Sequence, residues 1–175
     1  CQPQQISPHS VVVPLGDGVG LARLDVALEE GRWQVTERWT SRALKPSFND
    51  FVHHEGFLYG FDQNILACIS AEDGTKRWKN GRYGFGQMLL LVADKRLIVA
   101  SEGGDLILLE TNPEKLVERG RVTASPEKTW NHPIVAGQTL FFRNGAETVA
   151  YQLAPTTTAL ATAAGDAPQP SAVEP

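Results

Sequence analysis

Three stretches of this chain share one pattern: FLYGFDQNILACIS (Phe57 to Ser70), RLIVASEGGDLILLE (Arg96 to Glu110) and TLFFRNGAETVAYQL (Thr139 to Leu153). Each is an apolar run, a turn of Gly, Asn or Asp, and a second apolar run, which is a β-hairpin signal. Corresponding positions recur at ~40 residues, the period of a four-stranded sheet repeated around an axis. A partial earlier copy runs from Val19 to Val26 and is followed by Trp33 to Trp39. Short apolar segments precede the three hairpins at Phe51-Val52, Met88 to Val92 and Ile134-Val135, each after a polar turn.

These repeats predict an all-β chain. No segment longer than ten residues keeps a clean helical apolar spacing, and 11 Pro and 16 Gly punctuate too often for long helices. The expected architecture is a partial β-propeller of three to four blades, each a four-stranded antiparallel sheet, across residues 15–153. Residues 1–14 read as an N-terminal extension or a truncated blade, and 154–175 as a disordered tail. That tail is rich in Ala, Thr and Pro and has no aromatic residue to offset its ordering entropy. Runs such as Leu106 to Leu109 are continuously apolar because an inner propeller strand is covered on both faces. The segment Asn112 to Leu116 reads as a turn leading to an outer strand, Val117 to Val122. Closed propellers have about four to eight blades, so the visible copies read as part of a ring.

The stretch Cys68-Ile69-Ser70-Ala71-Glu72-Asp73-Gly74-Thr75-Lys76-Arg77-Trp78 resembles the repeat of pyrroloquinoline-quinone-like (PQQ-like) propellers, written A-x-D-x-x-T-G-K-x-x-W. Gly74 and Trp78 match it, and Trp39 is read as the equivalent one blade earlier. The resemblance implies that Gly74 turns the chain between third and fourth strands and that Trp78 packs between blades. Ser70, Asp73 and Thr75 depart from the pattern, so the turn is expected to have lost part of its hydrogen bonding. SFNDFV, GFDQNILACI and KTWNHP are similar to bacterial PQQ-like repeat proteins near their C-terminus. The implied function is a binding or assembly scaffold, exported to the periplasm or secreted, like the outer-membrane-assembly-type propeller lipoproteins. The alternative is part of a quinoprotein dehydrogenase-like enzyme whose catalytic residues lie in upstream blades; the vicinal cysteine pair and calcium-binding acidic set of such enzymes are not recognisable here.

Charge and cysteine usage narrow the classes. A net charge of -4, with basic residues scattered in pairs such as Lys76-Arg77 and Lys95-Arg96, gives no basic face for a nucleic acid. The longest apolar run, Met88 to Ala93, is far short of the ~20 residues of a transmembrane helix. Cys68 sits in an apolar run and reads as a buried inert thiol. Cys1 fits either a truncated chain or a mature lipoprotein whose lipidated cysteine comes first; the repeat count favours the first. No metal site, cofactor or catalytic residue is expected. His53-His54-Glu55 reads as a solvated hairpin turn, since strand neighbours point to opposite faces.

The candidate ligand site is positional. Asn49-Asp50, Gly86-Gln87 and Asn131-His132 stand just before the first strand of successive copies. Turns at that phase meet around the propeller axis, so Asn49, Asp50, Gln87, Asn131 and His132 are expected to form a partial polar ring at the channel mouth. Arg82 and Trp130 are expected to flank it. Such a ring either ties neighbouring blades together or binds a protein or small-molecule ligand.

Overall fold

The computed structural model describes residues 1–16 and 18–153, so the expected disordered tail lies outside the described residues. Fifteen strands build four antiparallel sheets in strict sequence order. The first holds β1 (Gln4–Ser7), β2 (Ser10–Pro14), β3 (Leu21–Glu29) and β4 (Arg32–Ser41). The second holds β5 (Val52–His54), β6 (Phe57–Asp62), β7 (Ile65–Ser70) and β8 (Lys76–Arg82), and the third β9 (Gln87–Leu91), β10 (Arg96–Ala100), β11 (Asp105–Glu110) and β12 (Glu118–Thr123). The fourth has three strands, β13 (Ile134–Ala136), β14 (Thr139–Arg143) and β15 (Thr148–Gln152). Every strand pairs with its sequence neighbour, which is the up-and-down topology of propeller blades. No helix long and apolar enough to cross a membrane occurs among the described residues.

Residues 1–14, expected as an extension or truncated blade, supply the first two strands of the first sheet. Gln4 pairs with Val12 and Val13 with Ala22, so the described residues form three four-stranded blades and one of which three strands are described. Polar Gln4, Gln5 and Ser7 between Pro3 and Pro8 hide β1 from a hydrophobicity pattern, while β2 carries the apolar run Val11 to Val13.

The core is divided into seams between successive sheets. Val12 and Leu21 meet Phe51, Leu58 and Ile69 across the first seam. Tyr59, Phe61, Leu66 and Cys68 meet Met88, Leu97, Val99, Ile107 and Leu109 across the second. Ile98, Ala100 and Leu106 meet Leu140 and Phe142 across the third. Strand alternation explains how one strand serves two seams: Leu97 and Val99 turn back to the second sheet while Ile98 and Ala100 turn forward to the fourth.

At one end of the strands, tryptophan ties the seams. Trp39, on β4, donates its indole N–H to the Ala71 carbonyl, and Trp78, on β8, donates to the Asn112 carbonyl at 2.8 Å. Both acceptors lie in the turn between third and fourth strands of the next blade. Gly74 shapes the first of these turns: its φ is +73°, and a Cβ there would meet the Trp39 ring at 2.9 Å. The turn has not lost its hydrogen bonds. Asp73 Oδ1 accepts from the Thr75 N–H and hydroxyl, and Ser70 Oγ accepts from the Glu72 N–H, so the departures from the repeat pattern exchange one set of turn bonds for another. Nor are His53 and His54 a solvated turn. They end β5, His54 is buried, and the turn itself is Glu55-Gly56, both at positive φ.

Candidate functional site

In an up-and-down sheet the turns that lead into first strands lie at the same end as the turns between second and third strands. That end carries residues 42–51, 83–86 and 124–133 together with residues 63–64 and 101–104. Here the polar residues singled out from the sequence come together. Asp50 accepts from the Gln2 backbone N–H at 2.6 Å and lies 3.2 Å from His132 Nε2, while its own N–H donates to Gln87 Oε1 at 3.4 Å. Four blades thus converge on one carboxylate and its backbone.

The ring is closed on itself more than open to solvent. Asn49 is fully buried and donates its amide to the Gly86 carbonyl at 2.6 Å. Gln87 is also buried, at 3% exposure. Asn131 directs its amide to the Arg143 carbonyl of its own blade. Among these residues His132 keeps an exposed side chain, at 43%, and Asp50 is half-buried. Gly86 takes the place that Asn49 and Asn131 hold in the other copies because a Cβ there would stand 2.5 Å from the Ala100 carbonyl. Arg82 makes no hydrogen bond or ion pair to the ring residues among the described residues. It lines an open hollow of about 530 Å³ with Tyr83, Glu102, Asp105, Arg121 and Lys128.

One position ahead of the ring, each leading turn carries an aromatic side chain: Phe48, Phe85 and Trp130. Phe48 and Phe85 stack at 5.8 Å with 25° between planes, and Trp130 meets Phe48 edge-on at 5.7 Å. Phe48 and Trp130 nonetheless remain 46% and 51% exposed. Trp130 was anticipated as a flanking residue; Phe48 and Phe85 were missed, although their phase in the repeat marks them as plainly as the polar pairs.

Glu102, in the turn between β10 and β11, holds this ledge. Its carboxylate accepts from the Phe85 N–H at 3.1 Å and from the Trp130 indole at 3.0 Å, and it pairs with Lys128 at 2.6 Å. The Lys128 ammonium above all, then the Phe85 N–H and the Trp130 indole, hold this carboxyl below the ordinary glutamate range against partial burial. Lys128 also lies 4.3 Å above the Trp130 ring. Arg121 pairs with Asp105 and Glu118 on the far side of the hollow. The arrangement can therefore offer flat apolar rings bordered by fixed charges of both signs.

No group of His, Cys, Asp and Glu among the described residues is placed to hold a metal ion. Cys68 is buried beside Tyr59, and burial pushes its thiol up to about 12.

No protein-family model matches the chain, and no curated protein matches it. Among solved structures the chain is similar to the crystal structure of BamB from Moraxella catarrhalis, at 15% identity and a TM-score of 0.58. The alignment covers 85% of this chain and 41% of that one, so the chain spans about two fifths of that protein's length. At this identity the likeness concerns the fold alone, and together with the four consecutive sheets it makes the chain a run of β-propeller blades.

Proposed function

We propose that this chain is a propeller scaffold that docks a segment of a partner protein on the leading-turn face, through the ledge of Phe48, Phe85 and Trp130. One observation carries the reading: three successive blades place an aromatic ring at the same phase, the rings touch, and two of them stay about half exposed. Exposed aromatic clusters rimmed by polar groups are the usual anchors of protein contacts. In the polar ring beneath, Asn49 donates to the Gly86 carbonyl, Asp50 accepts from the Gln2 N–H, Gln87 accepts from the Asp50 N–H and Asn131 donates to the Arg143 carbonyl, so these four act as struts under the ledge, with the Asn49 Oδ1 buried without a partner and His132 exposed at the rim beside Asp50. The resemblance of Cys68 to Trp78 to the PQQ-like repeat supports a scaffold of the binding or assembly kind. Export to the periplasm or secretion belongs to the same proposal.

A second reading has its own observation. The hollow beside the ledge brings Arg82, Arg121 and Lys128 against Glu102 and Asp105, and Arg82 has no ion-pair partner among the described residues. That chemistry fits a small ligand carrying a carboxylate.

Calorimetric titration with short extended peptides bearing Phe or Trp, and separately with small carboxylates, tests both. The first reading expects peptide binding that weakens at least ~10-fold, about 1.4 kcal/mol, in Trp130→Ala and Phe48→Ala. Carboxylate binding lost in Arg82→Gln but kept in Trp130→Ala would replace it with the second.

A further inference from the structure

Asn-Gly occurs twice in the chain, at Asn80-Gly81 and Asn144-Gly145. Such a pair carries its own electrophile and nucleophile. The side-chain amide carbon is one ring closure away from the next backbone nitrogen, and glycine has no Cβ to obstruct the approach. The fold treats the two pairs in opposite ways.

Asn80-Gly81 forms a β-bulge in β8. Ala67 pairs with Lys79 and Ile65 with Arg82, so Asn80 and Gly81 together stand opposite Leu66. Glycine is required at the second position, because its φ is +76° and a Cβ there would meet the Tyr83 ring at 2.6 Å. Asn80 is exposed, on the edge strand of a sheet that packs against a neighbour on each side. Its Oδ1 accepts from the Gly81 N–H at 2.8 Å, which brings the backbone nitrogen against the side-chain amide. Its Nδ2 donates to no acceptor among the described residues.

Asn144-Gly145 is held instead. Asn144 is 2% exposed, and its Nδ2 donates to Ser125 Oγ at 2.6 Å. Its Oδ1 accepts from the Ala146 and Glu147 N–H groups at 2.7 and 2.8 Å. Ring closure at this site must release the bond that fixes the leaving nitrogen and turn the carbonyl away from two donors.

We propose that Asn80 is a site of spontaneous deamidation, selected by the bulge in β8, and that Asn144 is shielded from the same reaction. The Gly81 nitrogen gives up its proton and attacks Asn80 Cγ. The new C–N bond closes a cyclic imide as the Cγ–Nδ2 bond breaks, and ammonia leaves carrying the proton. Water then opens the ring. Attack at Cγ leaves an aspartate, whereas attack at the Asn80 backbone carbonyl carbon leaves an isoaspartate whose chain runs through Cγ. Either product adds a carboxylate to β8 between Lys79 and Arg82 in sequence, and the isoaspartate also lengthens the backbone of the bulge. The inference is independent of the ledge.

The full 175-residue chain, incubated in mildly alkaline buffer both native and in guanidinium chloride, tests it through the chymotryptic peptides Lys79 to Tyr83 and Arg143 to Tyr151. In the native chain the first peptide is expected to gain the mass of OH in place of NH2, and to separate into two isomers, at least ~10-fold faster than the second. In the unfolded chain the two peptides should react at comparable rates, since each then has only its Asn-Gly pair. Asn80→Gln should abolish the gain in the first peptide, because closure would need a larger ring. Equal rates at the two sites in the native chain overturn the proposal. So does a first peptide that stays unmodified in the native chain while reacting in the unfolded one, and so does a gain that persists in Asn80→Gln.

Discussion

Trp78 and Trp130 sit at opposite ends of the blades and do opposite things with one side chain. Trp78 lies in the seam, tilted against Tyr59 at 6.2 Å, its indole N–H spent on the next blade's backbone. Trp130 lies on top of the leading turns, half exposed, its indole held by a carboxylate that also holds Lys128 and Phe85. The seam end is fastened by aromatic insertion. The leading-turn end is fastened by a polar ring, which leaves its aromatic side chains available.

Substitutions can break or sharpen this contrast. Trp78→Ala should have the largest effect, about 3 kcal/mol in urea melts, because it removes a ring from the seam and leaves the Asn112 carbonyl without its donor. The value sits at the lower end of core Trp truncations because Trp78 is partly, not wholly, buried. Asn49→Ala should follow at about 2 kcal/mol, since the Gly86 carbonyl then loses its buried partner. A loss below about 0.5 kcal/mol would mean that the ring does not hold the blades.

Glu102→Gln should cost less, about 1 kcal/mol at neutral pH, because the amide oxygen still accepts one N–H while the Lys128 pair is lost and the site is partly open to solvent. Its signature is the pH dependence. The folded carboxyl titrates below its unfolded counterpart, so its stabilisation is fully present above the ordinary glutamate value of ~4.3 and is lost as pH falls through the lower folded value. Melting temperature against pH should therefore fall less steeply below pH ~4.3 in the variant. Identical slopes would remove Glu102 as the holder of the ledge. Smallest of all is a chemical effect: iodoacetamide at mild alkaline pH should spare Cys68 in the native protein and label it once urea unfolds the blades, as mass spectrometry would record.

The blades were legible because inner strands covered on both faces become apolar runs, and a fixed period then repeats them. Phe57 to Ser70 is such a case, and it forms β6 and β7 paired from Phe57–Ser70 to Asp62–Ile65. The first strand was not legible, since Gln4 to Ser7 is mostly polar and has a partner that only the fold brings near. The candidate site divides the same way. The phase of Asp50, Gln87 and His132 could be read directly, and the structure brings them together. That Asn49 and Asp50 are occupied could not be read, because their partners are the Gly86 carbonyl and the Gln2 amide, backbone groups that no residue pattern announces. Arg82 ends β8 beside the leading turn, and its side chain lines the hollow that Glu102 and Lys128 share with the ledge.

The contrast between the two ends is tested most directly by urea melts of Trp78→Ala beside Trp130→Ala. Loss of an edge-on ring contact and a cation–π contact at an exposed site should cost Trp130→Ala about 1 kcal/mol, against about 3 for Trp78→Ala. Equal losses from the two variants would contradict the account, because the leading-turn aromatics would then be fastening the blades rather than standing free to bind.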